Sequence, residues 1–280
     1  MKIKETKIRE LYDLSHTIAG EYLEQYEFPW EILPHIGEII RELGKKLPEE
    51  EYEYRDGDVW IHKSVKVAPT ASITGPAIIG KDTEIRQCAF IRGSALVGEG
   101  AVVGNSTELK NVILFDKVQV PHYNYVGDSV LGYKAHMGAG SITSNVRSDK
   151  ALVKVHGEDQ DMETGLKKFG AMLGDEVEVG CGSVLNPGTV IGKNTNIYPL
   201  SSVRGCVDKA ARNTRRPMRP KPLIPTLMLM GISPSQSFCR FSFAHPYYIP
   251  VNAKRKEGKC KKNVIVIKNR VTHSPKRDRI

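Results

Sequence analysis

Nine aliphatic residues recur at intervals of six along the first half of the chain. They are Ile61, Val67, Ile73, Ile79, Ile85, Ile91, Val97, Val103 and Leu109. A period of six fits neither the 3.6-residue repeat of an amphipathic helix nor the alternation of a strand in an open sheet. It is typical of hexapeptide repeats wound into a β-helix. The sequence therefore predicts a mainly β fold, a parallel β-helix.

Small or β-branched residues occupy the fifth place of each hexad, which suits the narrow interior of such a coil. They are Val65, Ala71, Ala77, Thr83, Ala89, Ala95, Ala101 and Thr107. Beyond Leu109 the register slips by one at a few corners and continues through Val126, Met137 and Ile142, and it is strict again from Leu173 to Val203. This predicts roughly seven coils of three hexads each.

The net charge of +9 is not spread along the chain. Residues 208–280 carry about +15, whereas residues 1–207 carry about −6. The tail also holds half of the 16 prolines, and it shows no hexad period. We expect a basic, disordered tail over 208–280. Such a tail could bind nucleic acid or acidic surfaces, or it could be a non-native extension such as a shifted reading frame.

Five cysteines are present without close pairs or metal-ligand spacing, so neither a disulfide framework nor a metal site is expected. The N-terminus lacks an apolar signal core, and no run approaches the ~18 apolar residues of a membrane span. We expect a soluble, cytoplasmic protein with no membrane partner.

Two segments interrupt the hexads. Residues 1–58 are predicted to form a helical N-terminal segment and linker, because apolar residues at helical spacing over 5–26 indicate an amphipathic helix, with a second helical pattern after Trp30. Residues 147–169 have short apolar alternation around a polar turn, which predicts a hairpin or arm projecting from the coil. Loops on a rigid scaffold commonly carry function.

Arg92 and Lys110 both occupy the second place of a hexad and lie 18 residues apart, which is one turn of the coil. We expect them on neighbouring rungs, about 5 Å apart on one face. Like charges stacked in this way repel unless an anion lies between them. A sugar phosphate would fit, held by a forked guanidinium and a point-charge ammonium. The alternative is a pair of solvated surface cations.

The segment from His122 to Asn145 reads HYNYVGDSVLGYKAHMGAGSITSN. It resembles the acetyltransferase domain of bifunctional N-acetylglucosamine-1-phosphate uridylyltransferases, and most of all the archaeal sugar-1-phosphate nucleotidylyltransferase and amino-sugar acetyltransferase type. The similarity extends over about residues 59–207. It implies a left-handed β-helix acetyltransferase domain at 59–207, assembled as a homotrimer. No Gly-rich phosphate loop occurs within residues 1–58, so nucleotidyltransferase activity is not expected.

The resemblance also implies roles for individual residues. His122 matches the catalytic base, and a histidine titrating near neutrality suits that task. Glu108 matches a carboxylate that orients or charge-stabilises this histidine, or it is an ordinary solvated position. Tyr125 and Asn145 match residues that contact the sugar near its amine.

Three further matches concern the substrate loop and the second substrate. Lys150 falls near a lysine that binds substrate, although a difference in loop length leaves Lys150 and Lys154 as alternatives. His136 departs from an asparagine of the bacterial enzymes and leaves the choice between glucosamine and galactosamine phosphate open. Residues expected to contact acetyl-CoA, the co-substrate, are Ala139, Cys181 and Pro199. Covalent catalysis by Cys181 is not expected, because no activating base is evident.

We therefore predict an acetyl-CoA-dependent N-acetyltransferase acting on an amino-sugar 1-phosphate, on the route to UDP-N-acetylhexosamine. The alternatives are a catalytically silent hexapeptide-repeat scaffold or regulatory trimer, and an acyltransferase for another small amine. A γ-type carbonic anhydrase is disfavoured, because its close histidine pair is absent.

Overall fold

The computed structural model describes residues 1–208, and most of these form a β-helix of stacked parallel strands. The predicted class, a left-handed parallel β-helix of hexapeptide repeats with an N-terminal helical segment, is confirmed. The predictions made for the basic tail lie outside the described residues, apart from its first residue, Asp208.

Each coil contributes one short strand to each of three faces. The helix-covered face contains Val59–His62, Ala77–Ile79, Ala95–Val97, residues 112–114, residues 129–131, Ala171–Leu173, Thr189–Ile191 and Cys206–Val207. The second face contains Lys66–Val67, Glu84–Ile85, Val102–Asn105, Gln119–His122, His136–Met137, Glu178–Val179 and Asn196–Ile197. The third face contains Ser72–Ile73, Phe90–Ile91, residues 108–110, residues 125–127, Ile142–Thr143, Val184–Leu185 and Ser202–Val203. Tyr52–Arg55 pairs antiparallel with Val59–His62 at the start of the stack.

The helix-covered face is apolar on both sides. Its inward residues fill the core, and its outward residues are also buried beneath the N-terminal segment. The outward column runs Ile78, Leu96, Ile113, Val130, Met172 and Val190, all no more than 1% exposed. The sequence carries this signal as two adjacent apolar residues in one hexad of each coil, since a strand covered on both sides loses its polar alternation.

The N-terminal segment is helical, but the single helix predicted over residues 5–26 is wrong. The structure has 3₁₀ helices at Ile3–Thr6, Leu14–His16 and Pro29–Ile32, and α-helices at Ile8–Leu11, Gly20–Leu23 and Ile36–Gly44. Backbone groups of the segment bond to corners of the β-helix: the Asp175 N–H donates to Leu11 O (3.0 Å) and the Asp116 N–H to His16 O (3.0 Å). These bonds to the coil replace helical bonds, so tertiary context overrides the helical spacing.

Two strands continue around the corner between the third and the helix-covered faces. Glu108–Leu114 and Tyr125–Leu131 each pass through one residue with positive φ, Asn111 (54°) and Asp128 (48°). Asparagine and aspartate tolerate this left-handed conformation better than most residues. The spacing of 17 rather than 18 residues at this corner accounts for the slip in the hexad register.

The hexad pattern predicts that Ile142 lies in the core, and this prediction is wrong. Ile142 faces outward and is half-buried, whereas Thr143 is fully buried in register with Leu185. The Thr143 hydroxyl accepts a hydrogen bond from the Gly127 N–H (2.9 Å) on the rung below. A buried hydroxyl is tolerated here because it is hydrogen-bonded, and the aliphatic side chain is displaced to the outer surface.

The interruption at 147–169 contains an antiparallel hairpin of Lys154–His156 and Asp161–Glu163. The hairpin does not project freely from the coil, because Val153 and Val155 are fully buried. It also bonds to the start of the chain, where the Ile3 N–H donates to the Asp159 carboxylate (3.0 Å). Among the described residues, no helix is long and apolar enough to cross a membrane.

Candidate active site

His122 stands at the corner between the second and third faces, at the end of a strand. Its backbone is held on both sides: the His122 N–H donates to Asn124 Oδ1 (3.1 Å), and the His122 carbonyl accepts from the Gly140 N–H (3.0 Å). Asn124 is buried and donates from Nδ2 to Gly138 O (2.9 Å) and Ser141 O (3.0 Å) on the next rung. The side chain of His122 is exposed, and no described residue hydrogen-bonds its ring. The turn is therefore anchored while the imidazole remains accessible.

Ala139, Cys181 and Pro199 continue upward from His122 at the same corner. Backbone hydrogen bonds join the rungs. The Gly140 N–H donates to His122 O, the Gly182 N–H donates to Ala139 O (2.8 Å), and the N–H of Leu200, which follows Pro199, donates to Cys181 O (2.9 Å). All four residues of this column are exposed. We call it the corner column. It presents small side chains and backbone above the histidine.

Arg92 and Lys110 occupy neighbouring rungs on the outer surface of the third face. Strand pairing sets Leu109 opposite Ile91, which brings the following residues, Lys110 and Arg92, side by side as the spacing predicts. Both cations have a carboxylate partner in this structure. Arg92 Nη1 lies 2.7 Å from Glu108 Oε1, and Lys110 Nζ lies 3.5 Å from Asp128 Oδ1.

The carboxylate of Glu108 therefore bonds to Arg92, and it makes no hydrogen bond to His122. The hydrogen bond to this carboxylate raises the pKa of Arg92, so the guanidinium stays charged. Because both cations are partly neutralised, the repulsion inferred from the stack is smaller than the sequence suggests. An incoming anion at Arg92 would compete with Glu108.

Tyr125 and Asn145 lie beside the two cations. Tyr125 is directly above Glu108, and its hydroxyl accepts a hydrogen bond from Asn145 Nδ2 (3.2 Å). Burial, with the negative charges of Asp128 and Glu108, raises the pKa of Tyr125, so its phenol stays protonated at neutral pH. Gly127 makes room for this ring, since a Cβ there would lie 2.5 Å from the Tyr125 hydroxyl oxygen.

Asp128 and Asn111 also belong to this site, although no motif in the sequence indicated them. Asp128 has only 6% of its side chain exposed, and it accepts hydrogen bonds from Asn111 Nδ2 (3.0 Å) and from Asn145 Nδ2. The slip of one residue in the hexad register marks their corner, and this was the available signal.

Lys150 and Lys154 differ in the structure. Lys154 Nζ pairs with Glu163 Oε1 (2.5 Å) across the hairpin. Lys150 is exposed in the loop before the hairpin, and no described residue contacts its ammonium. Of the two alternatives, Lys150 retains the freer side chain.

No group of three or more His, Cys, Asp or Glu side chains suited to a metal ion occurs among residues 1–208. His136 Nδ1 pairs with Glu178 Oε2 (2.7 Å), and His156 Nδ1 pairs with Asp161 Oδ1 (2.8 Å).

The fold and the arrangement of these side chains define a hexapeptide-repeat β-helix protein with polar and charged groups clustered along its third face and adjoining corners. The resemblance found in the sequence is confirmed by curated relatives. The chain is 31% identical to the bifunctional protein GlmU of Methanococcus maripaludis over 209 residues, covering 68% of this chain and 47% of that protein. It is 33% identical to GlmU of Methanocaldococcus jannaschii over 207 residues, covering 69% and 50%.

A bifunctional sugar-1-phosphate nucleotidylyltransferase/acetyltransferase of Sulfurisphaera tokodaii is 34% identical over 151 residues, covering 48% of this chain and 38% of that protein. The chain thus spans about half the length, or less, of the curated relatives it matches. No protein-family model matches it. Among solved structures, a hexapeptide transferase family protein from Anaplasma phagocytophilum aligns with 20% identity and a TM-score of 0.30, covering 50% of this chain and 70% of that chain.

Proposed function

We propose that this chain is an acetyl-CoA-dependent N-acetyltransferase acting on an amino-sugar 1-phosphate such as glucosamine or galactosamine 1-phosphate. The observation that carries the proposal is the arrangement of three groups of residues along the third face and at its corner with the second face. The accessible imidazole of His122 lies at one corner, the cations Arg92 and Lys110 lie on the face, and the pair Tyr125 and Asn145 borders them. The relative from Sulfurisphaera tokodaii, which is named a bifunctional sugar-1-phosphate nucleotidylyltransferase/acetyltransferase, supports this class of reaction.

The chemistry needs a base for the amine. The amine nitrogen of the sugar attacks the thioester carbonyl carbon, and His122 accepts the proton that the nitrogen loses. Collapse of the tetrahedral adduct breaks the carbon–sulfur bond, and the thiolate of coenzyme A leaves and takes up a proton. Because the His122 ring has no partner among the described residues, it is available for this transfer.

The two substrates would occupy neighbouring surfaces. The phosphate would bind Arg92 and Lys110, replacing part of the contact that Glu108 makes with Arg92. Acetyl-CoA would lie along the corner column above His122, whose small exposed side chains leave backbone groups accessible. Lys150 would reach the substrate from its loop. Acetyl transfer alone is proposed, without nucleotidyl transfer.

A thiol-release assay tests the proposal. The full chain is incubated with acetyl-CoA and with glucosamine 1-phosphate, galactosamine 1-phosphate or serine, and free coenzyme A is measured. We expect turnover with an amino-sugar phosphate and a loss of roughly 100-fold or more in kcat for His122→Ala. The matched control is His156→Ala, because that exposed ring bonds Asp161 in the hairpin.

Two results would contradict the proposal: no turnover with any amino-sugar phosphate, or an unchanged rate for His122→Ala. The first would favour a silent scaffold or regulatory trimer, and turnover with serine alone would indicate an acyltransferase for another small amine.

A further inference from the structure

Asp128 is a nearly buried carboxylate at the corner where the third face meets the helix-covered face. Its two oxygens contact three different side chains: Oδ1 accepts from Asn111 Nδ2 (3.0 Å) and lies 3.5 Å from Lys110 Nζ, while Oδ2 accepts from Asn145 Nδ2. It therefore touches both the cationic and the amide part of the candidate site, and the proposed reaction leaves it without a role.

The carboxylate determines which way the Asn145 amide points. Asn145 Nδ2 donates both of its hydrogens, one to Asp128 Oδ2 and one to the Tyr125 hydroxyl. In the opposite orientation the carbonyl oxygen of Asn145 would face a carboxylate oxygen, and two acceptors would oppose each other. Asn145 Oδ1 is thus left to accept from a ligand.

Asn111 is fixed in a similar way. Its Nδ2 donates to Asp128 Oδ1 and to the carbonyl of Leu33 (3.1 Å), which belongs to the N-terminal segment. The Gly170 N–H also donates to the Asp128 carbonyl (2.8 Å). The N-terminal segment and the coil above therefore both hold the corner that carries Asp128.

We propose that Asp128 is a positioning residue of the acceptor site, which holds Asn145 with its carbonyl oxygen toward the ligand and holds Lys110 beside it. The site then offers acceptor oxygens for N–H and O–H groups next to a cation for an anionic group. This pattern matches a ligand that carries amine or hydroxyl donors close to a phosphate. The inference rests on the proposed function for its substrate, while its geometric part concerns the free protein.

Steady-state kinetics of Asp128→Asn test the role. The new amide can donate to Asn145 Oδ1 and so permits the reversed orientation. We expect the KM for the amino-sugar phosphate to rise about tenfold or more, as for a lost hydrogen bond to a charged group, with the KM for acetyl-CoA within about twofold of the wild type. Asn145→Ala should add little in the Asp128→Asn background, because the two residues act as a unit.

Asp175→Asn is the matched control. Asp175 is also a nearly buried carboxylate on the β-helix, and it accepts from the backbone N–H groups of Asp13 (2.8 Å) and Tyr133 (2.9 Å) and pairs with Lys193. It has no contact with the candidate site residues. We expect it to lower thermal stability without changing either KM. Equal KM values for Asp128→Asn and the wild type, or equal KM changes in both variants, would overturn the proposal.

A measurement on the free wild-type protein separates this proposal from the proposed function, because it does not depend on turnover. The side-chain amide protons of Asn145, assigned in NMR spectra by their loss in Asn145→Ala, should exchange with solvent more slowly than those of exposed asparagines. Slow exchange without turnover would leave Asp128 as the positioning residue and refute the substrate. Exchange as fast as at an exposed asparagine would refute the positioning role even if the enzyme is active.

Discussion

At the scale of single residues, three described cysteines differ in their surroundings. Cys88 and Cys181 are exposed at the same corner of the coil, whereas burial raises the pKa of Cys206 to about 12. Because the thiolate is the reactive form, Cys206 stays an unreactive thiol at neutral pH. We expect iodoacetamide to modify Cys88 and Cys181 well before Cys206, as measured by peptide mass spectrometry.

The same experiment checks the proposed position of acetyl-CoA. Saturating acetyl-CoA should slow the alkylation of Cys181, which lies in the corner column above His122, and should not slow that of Cys88, which lies below it. Equal protection of both cysteines, or protection of neither, would contradict binding along the corner column.

The sequence predicted the placement of residues better than their contacts. The 18-residue spacing gave Arg92 and Lys110 their neighbouring positions, but it could not show that Glu108 and Asp128 provide a negative charge for each. The direction of the Asp128 side chain depends on the corner formed by Asn111 and Asp128, where each strand passes through a residue with positive φ. Spacing along a chain carries no information on such a turn beyond the slip in register.

At the scale of elements, the N-terminal segment stabilises the β-helix by covering its apolar face. Ile40 in the helix Ile36–Gly44 is fully buried, whereas Ile18 in the same segment is 42% exposed. We expect Ile40→Ala to lower the free energy of unfolding by ~2–5 kcal/mol, as for other buried isoleucines. Ile18→Ala should change it by less than about 1 kcal/mol. Denaturant titration of both variants measures the difference, and equal midpoints would show that the segment does not unfold together with the coil.

The elements also show where sequence patterns stop being informative. The hexad period predicted the coils, since each aliphatic residue has one narrow interior to fill. Helical spacing over residues 5–26 predicted a long helix, yet bonds from Leu11 and His16 to the β-helix divide that stretch into short pieces. The spacing of apolar residues shows which of them are buried, but not the backbone conformation. A segment that crosses the stacked rungs can bury the same residues without forming a continuous helix.

At the scale of the whole molecule, the homotrimer remains a prediction. Large apolar side chains are exposed at the corner of the last coils, where Tyr198 is 65% and Leu200 is 76% exposed. We expect sedimentation equilibrium to give about three times the 31.2 kDa of one chain. Leu200→Asp should reduce the fraction of trimer, because a charge would be buried in the interface.

Leu152→Asp is the control for this variant. Leu152 is 43% exposed and lies in the segment just before the hairpin, not in the last coils. It should leave the mass unchanged. A wild-type chain that sediments as a monomer would refute the trimer, and an equal loss of trimer in both variants would exclude the corner as its interface.

The stacking of Arg92, Lys110 and Gly127 on successive rungs has a consequence for selection by length. Rungs are separated by about 4.8 Å, so the heights available to a ligand's groups change in steps of that size. If the separation of the ligand's groups differs from a whole number of rungs, one charge or donor would lie between two rungs. Under the proposed function, the β-helix would select ligands by the distance between their anionic and donor groups, and moving one of these groups by one coil would change that distance by about 4.8 Å.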